Sequence, residues 1–137
     1  MTVGPKGWWK ATEPVVISQA PQGVFLDPSH TFRLWLDRYH VSPLRPRGFT
    51  VRLLNNRQDA IEVHRLYRTR QMIPPPVDFM WKKRTSRTLL YFVAQDIRSG
   101  QILGAATGID HIEAFNDPER GSSLWALAVD PQAGHPG

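Results

Sequence analysis

From Phe49 onward the apolar and polar positions alternate with recognisable periods. Phe49, Val51 and Leu53 alternate with Thr50, Arg52 and Leu54, which predicts a strand. Asn56, followed three residues later by Asp59, has the form of a helix N-cap with an acidic first turn. Ala60, Val63 and Tyr67, with Leu66 beside them, then fall on one helical face. That helix must end before Pro74-Pro75-Pro76. Val77–Lys83 predicts a short second helix with Phe79, Met80 and Trp81 as its apolar contacts. Thr88–Asp96 and Gln101–Ile109 are β-rich runs joined by Ile97-Arg98-Ser99-Gly100, a hairpin signature. Gly104 and Gly108 inside the second run mark a bulge or a close backbone approach. After the loop Asp117-Pro118-Glu119-Arg120-Gly121, Ser122–Val129 reads as a strand. Its apolar run Leu124–Val129 predicts a central strand covered on both faces.

Before Phe49 the pattern is broken. Six of the 12 prolines lie in residues 1–47 and cut that stretch into short pieces. Val15-Val16-Ile17 predicts a brief strand and Asp27-Pro28-Ser29-His30 a turn. In Thr31–Leu36, Phe32, Leu34 and Leu36 alternate with Thr31, Arg33 and Trp35, again a strand pattern. Pro43-Leu44-Arg45-Pro46-Arg47-Gly48 cannot be regular structure and places a boundary there. The division expected is an N-terminal extension over 1–47, with short strands and Pro-rich turns, and a folded domain over 48–137. At the other end, an apolar strand leads into the Gly/Pro loop Asp130–Gly137, so the domain reads as cut short after its fourth strand.

Composition narrows the function classes. A chain of 137 residues suits one domain, and 41% apolar residues argue against wholesale disorder. The absence of cysteine excludes a disulfide scaffold, a Cys-ligated zinc site and a thiol nucleophile. No apolar stretch approaches a membrane span, and Met1–Lys10 has no apolar run typical of a secretory signal. A cytoplasmic protein with no membrane partner is the expectation. Charge is concentrated: 13 of the 17 basic residues lie between Arg33 and Arg87 with only four acids, a local excess of +9. Such a segment either holds an anionic partner or is a solvated surface whose arginines pair with acids. No RNA- or DNA-binding motif accompanies it, which disfavours nucleic acid.

Leu127-Ala128-Val129-Asp130-Pro131-Gln132, followed by Gly134-His135-Pro136-Gly137, carries a further signal. An L-x-V-x-P strand end leading into a glycine-containing loop resembles the GNAT family of acetyl-CoA-dependent N-acetyltransferases, whose loop has the form Q/R-x-x-G-x-G/A. The hairpin Ala94-Gln95-Asp96 to Gly100–Gly104 resembles that family's second and third strands. Phe25–Trp35 and Gly121–Gln132 resemble, more narrowly, the acetyltransferase region of bacterial N-acetylglutaminylglutamine synthetases, which make an acetylated dipeptide osmolyte. One departure stands out: Gly134 occupies the loop position where Gln or Arg is expected, with Gln132 two residues earlier. The resemblance implies an α/β (α+β) GNAT-like fold, a mixed and mostly antiparallel sheet with helices packed on it, of which this chain spans the first half.

It also implies a site. Backbone groups of Leu127, Ala128 and Val129 would bond the pantetheine arm of acetyl-CoA, with the Leu127 N–H donating to the thioester carbonyl. Gln132, Gly134 and Gly137 would belong to the pyrophosphate loop, whose remaining glycines, helix and general acid the family places after Gly137. The amine must lose a proton, and His111 or Glu113, just after the third strand, are the candidate bases. The side chains of Leu127–Val129 read as core, and Asp110, His111 and Glu113, taken singly, read more readily as solvated loop groups. The implied reaction is acetyl transfer to the amino group of a small amino acid or peptide, by direct attack and without metal. Ser122-Ser123 lacks the G-x-S-x-G context, so serine hydrolase chemistry has no sequence support. Truncated in this way, the chain is expected to be inactive or nearly so alone, and to self-associate through its uncovered last strand. The rival class is a non-catalytic module whose basic segment binds an anionic partner.

Overall fold

The computed structural model describes residues 32–43 and 47–134, which fall into two units divided between Val41 and Ser42. Val15–Ile17, the turn at Asp27–His30 and Gly137 lie outside the described residues. In the first unit the strand expected over Thr31–Leu36 is absent among the described residues. Phe32–Trp35 has no regular structure, and Leu36–Arg38 is a 3-10 turn closed by the Tyr39 N–H on the Leu36 carbonyl. Alternation predicts a strand only where a neighbouring strand takes up its backbone groups, and the described residues hold one sheet, all of it after Phe49.

The second unit is mixed α+β, with a four-stranded antiparallel sheet and helices. In chain order it comprises β1 (Phe49–Leu53), α1 (Arg57–Thr69), α2 (Val77–Lys83), β2 (Leu89–Asp96), β3 (Ile102–Asp110), α3 (His111–Phe115) and β4 (Ser122–Val129). The sheet order is β1-β2-β3-β4, every pair antiparallel. Among the described residues no helix is long and apolar enough to cross a membrane.

Local chemistry explains the elements. The Asn56 side chain accepts the Asp59 N–H at 2.8 Å while Asp59 accepts the Asn56 N–H, a full capping box that starts α1. Gln71, at φ 57°, ends it: the N–H groups of Gln71 and Met72 bond the carbonyls of Arg68 and Tyr67, a Schellman motif without its usual glycine. The β2–β3 hairpin turns on Gly100 at φ 75°, with Asp96 Oδ1 accepting from the Arg98 and Ser99 N–H groups.

The core lies between α1, α2 and one sheet face. Ala60, Val63, Leu66, Tyr67 and Met80 are buried against Leu54, Tyr91, Val93, Ala105 and Ala128, flanked by the partly buried Trp81 and Leu89. The apolar contacts expected of α2 need one correction: Phe79 is 43% exposed, because Met80 takes the inward position. Cross-strand rows define the two faces. Arg52–Val93–Ala105–Ala128 and Tyr91–Thr107–Trp125 face the helices; Val51–Ala94–Gly104–Val129 and Leu90–Gly108–Leu124 face the other way. Contrary to expectation, β4 is not a central strand. It is the edge of this sheet, and Leu124, Trp125, Leu127 and Val129 are each at least half exposed, leaving Ala128 as its buried apolar residue. An unbroken apolar run reports a surface suited to burial; strand pairing decides whether it is covered.

Candidate functional site

The expected site residues gather around β4. Its pairing with β3 slips between Ala105 and Thr107: Ala105 faces Ala128 and Thr107 faces Trp125, so Ala126 and Leu127 together oppose Ala106. This is a β-bulge, and Ala126 sits in it at φ 51°, a left-handed conformation that a residue with a Cβ adopts at some cost. A bulge interrupts the ladder, and here it does so in an edge strand at Leu127, whose side chain is 67% exposed. A second slip lies opposite, between Ala94 and Gln95, where Ala94 faces Gly104 and Gln95 faces Ile102. Both readings of Gly104 apply: it adjoins the bulge, and a Cβ there would stand 3.2 Å from the Ala128 carbonyl oxygen.

After β4 the chain turns at once. Asp130 is buried; its Oδ1 accepts the Gln132 N–H at 2.9 Å, its backbone carbonyl accepts the Ala133 N–H, and its own N–H donates to Leu103. Arg65 on α1 reaches its carboxylate at 3.5 Å while also bonding Glu62 at 2.9 Å. Glu62 first, then Asp130, raise the Arg65 pKa against the opposing effect of desolvation. Gln132 and Gly134 are exposed on this tethered turn, and a Cβ at Gly134 would meet open space. The Asp130–Arg65 tether was not foreseen; the Asp-Pro pair after a strand was its one sequence signal.

The candidate acid–base residues lie on a short helix and not on the loop expected after β3. Asp110 caps α3 by accepting the N–H groups of Ile112 at 2.8 Å and Glu113 at 3.2 Å, and left-handed Asn116 ends it. Glu113 is exposed, and residues two apart on a helix do not share a face, so it is not brought to His111. His111 is placed against β4. Its Nε2 lies 2.8 Å from Ser123 Oγ, its Nδ1 lies 3.9 Å from Asp117 Oδ2, and its ring meets the Phe115 edge at 5.6 Å between centroids. The Trp125 indole N–H donates to the same Ser123 Oγ at 2.7 Å. Asp117 is itself oriented by the N–H groups of Glu119 and Gly121. Ser123, Trp125 and Asp117 are the residues sequence reading missed, because they meet across a loop with no motif spacing.

The basic segment is partly neutralised from within. Its four acids each sit against an arginine: Asp37 with Arg38, Asp59 with Arg52, Glu62 with Arg65 and Asp78 with Arg57. Arg84 stacks over the Trp81 ring at 3.8 Å. A surface depression lined by Arg68, Gln71, Met72, Ile73 and Pro74 lies at the end of α1 and contains none of the candidate residues.

No protein-family model matches the chain, and no curated protein or solved structure matches it.

Proposed function

We propose that this chain carries the acetyl-thioester-binding half of a GNAT-class N-acetyltransferase. One observation carries the reading: the bulge at Ala126–Leu127 in an exposed edge strand, on the L-x-V-x-P segment from which the resemblance starts. Bulged main chain at a sheet edge offers N–H and C=O groups to an extended ligand, the geometry of strand addition. The pantetheine arm of acetyl-CoA is such a ligand, bearing two amides. On this reading the main chain of Leu127, Ala128 and Val129 receives the arm. The Leu127 N–H meets the thioester oxygen, where negative charge grows during attack. The turn at Gln132 and Gly134 lies toward the phosphates. His111 accepts the proton that the amine must lose, and Glu113, exposed on α3, is the second candidate. The acceptor is the amino group of a small amino acid or peptide, with glutamine or glutaminylglutamine favoured by the narrower resemblance and osmolyte synthesis in the cytoplasm as its setting.

Calorimetry with acetyl-CoA tests this. Leu127→Ala keeps the N–H and is expected to bind like the wild type, whereas Leu127→Pro removes the donor and is expected to bind at least tenfold more weakly. The same titration addresses the basic-module reading. If adenosine 3′,5′-bisphosphate binds as tightly as acetyl-CoA and Leu127→Pro changes nothing, charge alone holds the ligand and the acetyltransferase reading is wrong.

A further inference from the structure

We propose that Ser123, His111 and Asp117 form a proton relay in which Ser123 is the group that takes the acceptor's proton and Asp117 is the positioning residue of the imidazole. The proposal rests on the acetyltransferase reading for its substrate and on hydrogen-bond chemistry for its geometry.

The indole on one side and the Asp117 carboxylate on the other favour one direction for the chain. An indole N–H only donates, so Ser123 Oγ accepts from Trp125 at 2.7 Å. Oγ keeps its proton and a second lone pair; with the Asp117 carboxylate on the Nδ1 side of the ring, we assign the hydroxyl as donor to His111 Nε2, 2.8 Å away. With Nε2 accepting, a neutral imidazole carries its proton on Nδ1, and that side of the ring faces the Asp117 carboxylate at 3.9 Å. The opposite tautomer would set the Nδ1 lone pair against a carboxylate. Asp117 is held for this part by the N–H groups of Glu119 at 3.1 Å and Gly121 at 3.0 Å. The His111 N–H donates to the Gly121 carbonyl, fixing the backbone beneath the ring. Space at Gly121 is tight: a Cβ there would stand 3.1 Å from Asp117 Oδ2 and 3.3 Å from His111 Nδ1, so either side chain would have to give by a few tenths of an ångström.

The relay points along β4. Ser123 and Trp125 share the helix-facing side of the strand, and the bulge follows immediately. Ser123 precedes Leu127 by four residues, roughly 13 Å at the rise of a strand, so the path requires a file of several solvent waters along the half-exposed Trp125. In the transfer step the amine nitrogen bonds the acetyl carbon and the C–S pair leaves on sulfur, which takes a proton from solvent. The surplus amine proton passes through water to Ser123 Oγ as the Ser123 proton moves to His111 Nε2. The imidazolium that results lies beside Asp117 and, being partly exposed, returns its proton to solvent.

Long-range 1H–15N spectra of the histidine side chains in the full chain, taken above neutral pH, test the geometry. The expected result is His111 protonated on Nδ1 with Nε2 accepting, a signature that Ser123→Ala and Asp117→Asn weaken and Ser123→Thr retains. His111 protonated on Nε2 in the wild type overturns the relay. Single-turnover acetyl transfer, run with the chain in excess so that the slow transfer expected of it is readable, then tests its role: Ser123→Ala is expected to lower that rate at least tenfold at unchanged acetyl-CoA affinity, with recovery in Ser123→Thr. A Ser123→Ala rate equal to wild type overturns the proposal. Failure to bind acetyl-CoA would remove the acetyltransferase reading instead, and the tautomer would still decide the geometry.

Discussion

Asp59 shows how one residue ties sequence to stability. It is the N3 residue of the α1 capping box, is 4% exposed, and receives Arg52 in a two-pronged bond at 2.6 and 2.8 Å. Burial alone would push its carboxyl pKa up; the Arg52 bond, the Asn55 and Asn56 N–H groups and the Arg52 charge outweigh that and hold it below the usual range. A lowered folded-state pKa stabilises the fold above the unfolded carboxylate's range and is lost as pH falls through the folded value, so this contribution fades below about pH 4. Asp59→Asn is expected to cost about 2–3 kcal/mol at neutral pH, because Arg52 keeps its bond to Gln95 but loses its counter-charge, and to flatten the acid limb of stability. Denaturant melts at several pH values read both effects. Tyr67 makes the opposite case. Its hydroxyl is buried and makes no well-formed hydrogen bond, with the Thr107 side chain its polar neighbour; burial raises its pKa, offset only in part by Thr107. Tyr67→Phe is therefore expected to be neutral or to stabilise by about 1 kcal/mol. A clear loss of stability in the same melts would mean that Thr107 does bond it.

At the scale of elements, what could be read in the sequence depended on how local the cause was. The Asn56 cap, the end of α1 before the prolines, α2 over Val77–Lys83 and the hairpin through Gly100 were legible because each is set by a few adjacent residues. Phe32–Leu36 has a strand's alternation but no partner strand among the described residues, so its period misled. β4 was legible as a strand with an uncovered edge, but the exposure of Leu124, Trp125, Leu127 and Val129 was not, since what covers a strand's faces is a property of the whole sheet. Of the site, the strand end Leu127–Asp130 and His111 were visible in advance. The bulge at Ala126 was not, because alanine carries no signal for φ 51°, and Ser123 meets His111 only after the loop closes.

Within the second unit, one sheet face is covered by α1 and α2, and the described residues of that unit place no element over the other. Val51, Leu53, Leu124 and Val129 are between 46% and 63% exposed, and with Leu90 and Phe92 they make an apolar surface that runs to the β4 edge. Exposed apolar area is unfavourable by about 25 cal/mol per Å², and an edge strand keeps backbone groups ready to pair. The expected outcome is concentration-dependent self-association, read by sedimentation velocity, which Leu124→Lys reduces by placing a charge on that face. A wild-type monomer across the concentration range would contradict it. The proposed function stands or falls with binding of an acetyl thioester by the bulged main chain of β4. Amide spectra of the chain titrated with S-acetylpantetheine, which has the arm and the thioester but no phosphate, test it most directly. Shifts concentrated at Ala126–Val129, with the Leu127 amide moving most, are expected; unmoved β4 amides, or shifts confined to the arginine-rich surface of α1, would overturn the proposed function.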